Sequence, residues 1–90
     1  MMKITVDISL YPLDQDYIPP IKTFIRRLRE FEGLEIVTNQ LSTQLRGEYQ
    51  LVTSALNAAM EETMKSGPKT VFVTKFLNSD LDISRLPHIE

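Results

Sequence analysis

The sixteen residues Leu34–Tyr49, "LEIVTNQLSTQLRGEY", decide how this chain folds. They begin with "LEIVTNQ", rich in β-branched residues, turn near Asn39-Gln40, and continue as a second β-prone run, "LSTQLR". After Gly47 the apolar spacing changes to that of a helix. Two consecutive strands are therefore expected here, directly ahead of a helix.

The flanks complete the pattern. In "KITVDISLY", residues 3–11, Ile4, Val6, Ile8 and Leu10 alternate with Thr5, Asp7 and Ser9, which predicts a strand with one face in a core. "PLDQD" supplies turn residues, and Pro19-Pro20 suit a first helical turn, where a missing N–H costs nothing. Ile21, Phe24, Ile25, Leu28 and Phe31 then follow helical spacing, with Ile18 just ahead of the start. Lys22, Arg26 and Arg29 line the opposite, solvated face. Gly33 is placed as the residue that ends this helix. In the second helix Val52, Ala55, Leu56, Ala59, Met60 and Thr63 share a stripe, closed by Gly67 and Pro68. "KTVFVTKFL" reads as the last strand.

The order β-α-β-β-α-β predicts an α+β, ferredoxin-like sandwich: a four-stranded antiparallel sheet with two helices on one face. Residues 1–78 form this single domain, and 79–90 are a C-terminal tail read as a surface extension. If Phe72, Thr74 and Phe76 face the helices, then Val71, Val73, Lys75 and Leu77 lie on the open face. Three apolar side chains in water invite a partner. A homodimer or homotetramer is expected, joined sheet to sheet or edge to edge.

Composition narrows the function. With 42% apolar and 24% charged residues the chain is suited to folding, not disorder. A net charge of −2 gives no electrostatic reason to expect nucleic acid or an acidic membrane as partner. No cysteine is present, which excludes disulfides and thiolate metal sites and fits a reducing compartment. No apolar stretch approaches the roughly 18 residues of a membrane span, and the N-terminus lacks a signal-type apolar region. A cytoplasmic protein is expected.

Candidates for chemistry are few. The run "RRLR" at 26–29 is interleaved with Glu30 and Glu32 and reads as a solvated face. RNA-recognition domains share the expected topology but stack bases on central-strand aromatics, which "LSTQLR" lacks. Acylphosphatases also share it, yet the loop after the first strand, "PLDQDY", is acidic where they need an arginine-bearing anion loop. Asp14 and Asp16 fall short of the six to eight oxygens that calcium takes. His88, the single histidine, is one ligand where zinc sites need several, and no Ser-His-Asp set can be assembled. No catalytic residue, metal or cofactor is therefore expected.

That leaves "TNQLSTQLRGEY". Thr38, Asn39, Ser42, Thr43 and Gln44 all donate and accept hydrogen bonds. Gly47 permits backbone conformations that other residues resist, and Glu48 falls where a helix dipole favours a carboxylate. Turn and cap chemistry would explain these residues, and so would a ligand.

Four stretches, "ISLYPL", "YIPPIKTFI", "GLEIVTNQLSTQLRGEY" and "KFLN", together resemble the YkoF-like family, also known as thiamine/hydroxymethylpyrimidine-binding or MTH-type proteins. The likeness spans residues 4–78, and its most specific part is the run "TN…ST…GEY". It implies a ferredoxin-like fold and non-enzymatic binding of thiamine or its hydroxymethylpyrimidine moiety. It also implies assembly into dimers or tetramers, since this chain carries one domain. Matched to the family's polar run, the implied ligand-binding residues are Thr38, Asn39, Thr43 and Glu48. Gly47 would let the backbone approach the ligand, and Tyr11, at the end of the first strand, would join them. An aminopyrimidine offers a flat apolar ring, an amino donor and ring-nitrogen acceptors, which such side chains can address. The rival expectation is a structural or regulatory oligomerisation module without its own small-molecule ligand.

Overall fold

The alternation of the first strand sets the whole arrangement. In the computed structural model, which describes residues 1–89, that strand lies in the interior of the sheet. The elements are β1 (Lys3–Pro12), α1 (Ile18–Arg29), β2 (Glu35–Thr38), β3 (Thr43–Glu48), α2 (Tyr49–Ser66) and β4 (Thr70–Leu77). The strand order is β2-β3-β1-β4, with every neighbouring pair antiparallel. This is the expected ferredoxin-like sandwich.

Ile4, Val6, Ile8 and Leu10 are buried beneath the helices, together with Leu45 of β3, Phe24 and Leu28 of α1, and Val52, Ala55, Leu56 and Ala59 of α2. Each large apolar side chain in this layer contributes about 1.5–3 kcal/mol relative to exposure. Phe72 joins from β4, its ring 5.3 Å from that of Phe24. The register pairs Leu10 with Phe72 and Ile8 with Thr74, so Val71, Val73, Lys75 and Leu77 do occupy the open face. Arg27 ties the helices together at the surface, its Nε donating to Glu62 of α2 at 2.7 Å.

Two boundaries and the role of one glycine differ from expectation. Helix α1 ends at Arg29, because the N–H groups of Glu30 and Phe31 turn back to Arg27 and Leu28 in a tighter final turn. Gly33 therefore shapes the turn into β2, where its φ of 85° is one that glycine accepts. Strand β3 starts at Thr43, since Asn39–Ser42 are consumed by the hairpin turn: Asn39 N–H donates to Ser42 O at 3.0 Å. Gly47 has no positive φ. It lies in β3 opposite Ile4, and a Cβ there would sit 3.0 Å from Leu34 Cδ2 and 3.3 Å from Gly33 O. Close approach, not backbone freedom, is the reason for this glycine.

Beyond Leu77 the chain folds back over the open face. Thr5 Oγ1 donates to Ser79 O at 2.7 Å and accepts from Leu81 N–H at 3.0 Å. Thr5 is buried as a result, although it belongs to the open-face parity. Arg46 Nε donates to Asp80 at 2.6 Å, and its Nη1 lies 3.1 Å from Glu35 and 3.9 Å from Asp82. The start of the tail stays exposed, yet it is tied to the sheet. Among the described residues, no helix is long and apolar enough to cross a membrane.

Candidate functional site

A cleft opens where the β2–β3 hairpin meets α1. Ile8 and Leu10 of β1 with Ile21 and Ile25 of α1 supply its apolar walls, and hairpin residues 38–43 supply a polar rim. Its volume is about 100 Å³. The register places Thr38 directly across from Thr43, on the same side of the sheet as Ile8. Their hydroxyls are 3.1 Å apart, with Thr43 buried and Thr38 exposed. Asn39 sits at the corner, its Oδ1 accepting from Leu41 N–H and Ser42 N–H, both at 3.0 Å. Asn39 thus folds the turn with the oxygen of its amide.

Three of the six expected residues, Thr38, Asn39 and Thr43, therefore converge. The others do not join them. Glu48 lies five residue steps along the strand from Thr43, a distance of about 16 Å at the usual strand rise. There Gly47 and Glu48 border a second, wider depression with Lys3, Gly33, Glu35, Arg46 and Asp80. Glu48 caps α2, one carboxylate oxygen accepting from Leu51 N–H at 3.1 Å. Tyr11 lies half exposed on the open face, paired with Val71.

The open side of the hairpin carries a network that sequence reasoning missed. Asp7 Oδ1 accepts from Ser42 Oγ at 2.7 Å and from Gln44 Nε2 at 2.9 Å. Gln44 Nε2 also reaches Ser42 Oγ at 2.8 Å. Asp7 and Gln44 are direct register partners, and Ser42 shares the parity of Gln44. The signal was the shared parity of polar residues in β1 and β3, which becomes readable once their register is known. This network cross-ties the rim of the cleft to the central strand.

Electrostatic perturbations gather at the other end of the sheet, around Arg46. The hydrogen bond from Arg46 holds the Asp80 carboxyl below the ordinary carboxylate range, and Asp80 in turn raises the Arg46 guanidinium. Asp82 is lowered mainly by hydrogen bonds from the Ser84 hydroxyl and N–H. Among the described residues, no group of three or more His, Cys, Asp or Glu side chains is placed to hold a metal ion.

The βαββαβ topology with its covered and open sheet faces defines the protein as a small ferredoxin-like sandwich. More narrowly, the chain belongs to the YKOF-related family, whose pattern matches residues 3–79. Its fold is similar to that of a Streptococcus pneumoniae protein at 24% identity and a TM-score of 0.78, covering 92% of this chain and 91% of that one. It is also similar to a hypothetical protein from Methanocaldococcus jannaschii, with 21% identity, a TM-score of 0.75, and 99% and 90% of the two chains covered. A third likeness is to a candidate thiamine biosynthesis/salvage protein from Thermotoga maritima, at 16% identity and a TM-score of 0.79 over 91% of each chain. At these identities the likeness establishes the fold. Among curated proteins, none matches the sequence.

Proposed function

We propose that the protein is a non-enzymatic, self-associating cytoplasmic binder of thiamine or its hydroxymethylpyrimidine moiety, and that the hairpin cleft receives the pyrimidine. The observation that carries this reading is the convergence of Thr38, Asn39 and Thr43 on a cleft walled by Ile8, Leu10, Ile21 and Ile25. Apolar walls suit the faces of a flat heterocycle, and hydroxyl and amide groups at one edge suit its amino group and ring nitrogens. Family membership and the description of the Thermotoga maritima relative support the same ligand class. The volume of about 100 Å³ is smaller than the ~150 Å³ that encloses a benzene, so the ring enters edgewise and one side remains outside the cleft.

Calorimetric titration with hydroxymethylpyrimidine, thiamine and its phosphates tests the reading. Binding of all three with similar affinity is expected, because the shared pyrimidine is what the cleft receives. Thr38→Val keeps the shape and removes one hydroxyl, so affinity should fall about two- to tenfold, corresponding to a hydrogen bond of roughly 0.5–1.5 kcal/mol. Absence of binding heat with every ligand would overturn the proposal.

A structural or oligomerisation module is the second reading. It is favoured by the uses already found for Gly47 and Glu48 in packing and capping, and by the exposed apolar residues of β4. The titrations separate the two, since a module without its own ligand binds no pyrimidine, whereas a binder that uses the hairpin cleft keeps its affinity in Glu48→Gln and loses part of it in Thr38→Val.

A further inference from the structure

The hairpin cleft is too small to enclose a pyrimidine, so whatever the ring carries lies outside it. The surroundings of its mouth therefore decide which substituent is favoured. A groove of about 260 Å³ adjoins it along α1, lined by Lys22, Ile25, Arg26, Arg29 and Thr38. Ile25 and Thr38 line the cleft as well, so the two spaces share a wall. No described carboxylate lines the groove. Thr38 stands between the two, and its hydroxyl can accept on one side and donate on the other.

The cations of this groove are uncommitted. Arg27, on the same helix, is held by Glu30 and Glu62, Arg46 by Glu35 and Asp80, and Lys65 lies beside Glu61. Lys22, Arg26 and Arg29 are exposed, and none pairs with a described carboxylate. Their spacing of four and three residues sets neighbouring Cβ atoms about 5–6 Å apart, where like charges repel and weaken a helix. The helix dipole offsets this for Arg26 and Arg29, which lie in the last turn. Lys22 lies in the N-terminal half of α1 and has no such support. In a chain of net charge −2, the groove is thus a local positive field. A solvated face explains why these side chains are exposed, but not why they gather without carboxylates at the mouth of the cleft.

We propose that this groove is an anion subsite of the cleft, and that the preferred ligand is a pyrimidine bearing a phosphate monoester one methylene from its ring. This rests on the pyrimidine reading given above and names the form of the ligand. A phosphate monoester carries a charge of about −1.5 to −2 at pH 7 and three acceptor oxygens. Guanidinium forks and an ammonium group match those oxygens with charge-assisted hydrogen bonds. The pyrimidine contacts alone hold the alcohol and thiamine alike, and the groove adds a preference set by charge. Thiamine bears a cationic ring on the same methylene and gains nothing from Lys22, Arg26 and Arg29. Its phosphates set their anion beyond that cation, so the two charges offset each other at the groove.

The test is calorimetric titration of the full chain with hydroxymethylpyrimidine, its phosphate monoester and ribose 5-phosphate. At low ionic strength the monoester should bind about tenfold more tightly than the alcohol, the combined effect of a few exposed ion pairs. High salt should shrink that advantage and leave the affinity of the alcohol unchanged. In the double variant Lys22→Gln, Arg26→Gln the monoester should fall close to the alcohol, which should bind as it does to the wild type. Equal affinities of monoester and alcohol in the wild type would overturn the subsite and leave the pyrimidine cleft standing. So would an advantage that survives the double substitution. If that variant fails to fold, the salt dependence in the wild type decides. Ribose 5-phosphate binding as tightly as the pyrimidine monoester would reveal an anion site uncoupled from the cleft, and would overturn the proposal. Binding heat from none of the three would refute the cleft itself, and the subsite with it.

Discussion

Gly47 and Glu48 are neighbours in sequence, and each shows how a single residue is used. A methyl group at Gly47 would press on Leu34 Cδ2 at 3.0 Å and on the Gly33 carbonyl at 3.3 Å. The leucine can shift, but the carbonyl belongs to a turn whose backbone is already committed to a positive φ. Gly47→Ala should therefore destabilise the fold by about 1–3 kcal/mol, the usual range for overpacking. Glu48→Gln keeps an oxygen for Leu51 N–H and loses only the charge at the helix start, costing about 0.3–1 kcal/mol. Urea unfolding of the two variants should separate these magnitudes. The capping carboxylate was legible because its signal is local. The crowding at Gly47 was not, because it depends on how the Gly33 turn returns against β3.

At the scale of elements, the strands and helices were readable wherever one face alternates or repeats. The β1 pattern of Ile4, Val6, Ile8 and Leu10 survives intact in the core. Hairpin boundaries were less readable, since Asn39–Ser42 serve a turn although their neighbours are β-prone. The tail carried no periodicity, and its attachment depends on partners far away in sequence, Thr5 and Arg46. Its response to acid follows from the depressed carboxyls of Asp80 and Asp82. A carboxyl lowered in the folded state contributes stability in full above its unfolded value, about 3.9, and loses it as pH falls toward the folded value. The tail should thus remain attached down to about pH 4 and come away below it, read by exchange at the Leu81 amide. Removing residues 79–90 should leave the helix signal in circular dichroism unchanged, and Arg46→Gln in the full chain should weaken the acid step at the Leu81 amide.

At the scale of the molecule, β3 is the axis on which the candidate site divides. Its hairpin end presents Thr43 beside Thr38, and its other end leads through Gly47 into the Glu48 cap. The sequence run that contains all four residues looks like one motif, yet an extended strand carries its ends apart by about 16 Å. No pocket of one subunit can use both ends on a single pyrimidine ring. Residues more than about 7–10 Å apart with no shared partner contribute additively to stability, within about 0.3–0.5 kcal/mol. A double-mutant cycle of Thr38→Val and Glu48→Gln should accordingly show additive unfolding energies. The ligand arm of the same cycle is the sharper measurement. If one subunit holds the pyrimidine in its hairpin cleft, affinity should follow Thr38 alone, and the double variant should bind like Thr38→Val. If both substitutions weaken binding, the ligand would have to bridge the hairpin end of one subunit and the Glu48 end of another. Affinity would then depend on protein concentration, and titrations repeated across a dilution series would reveal it.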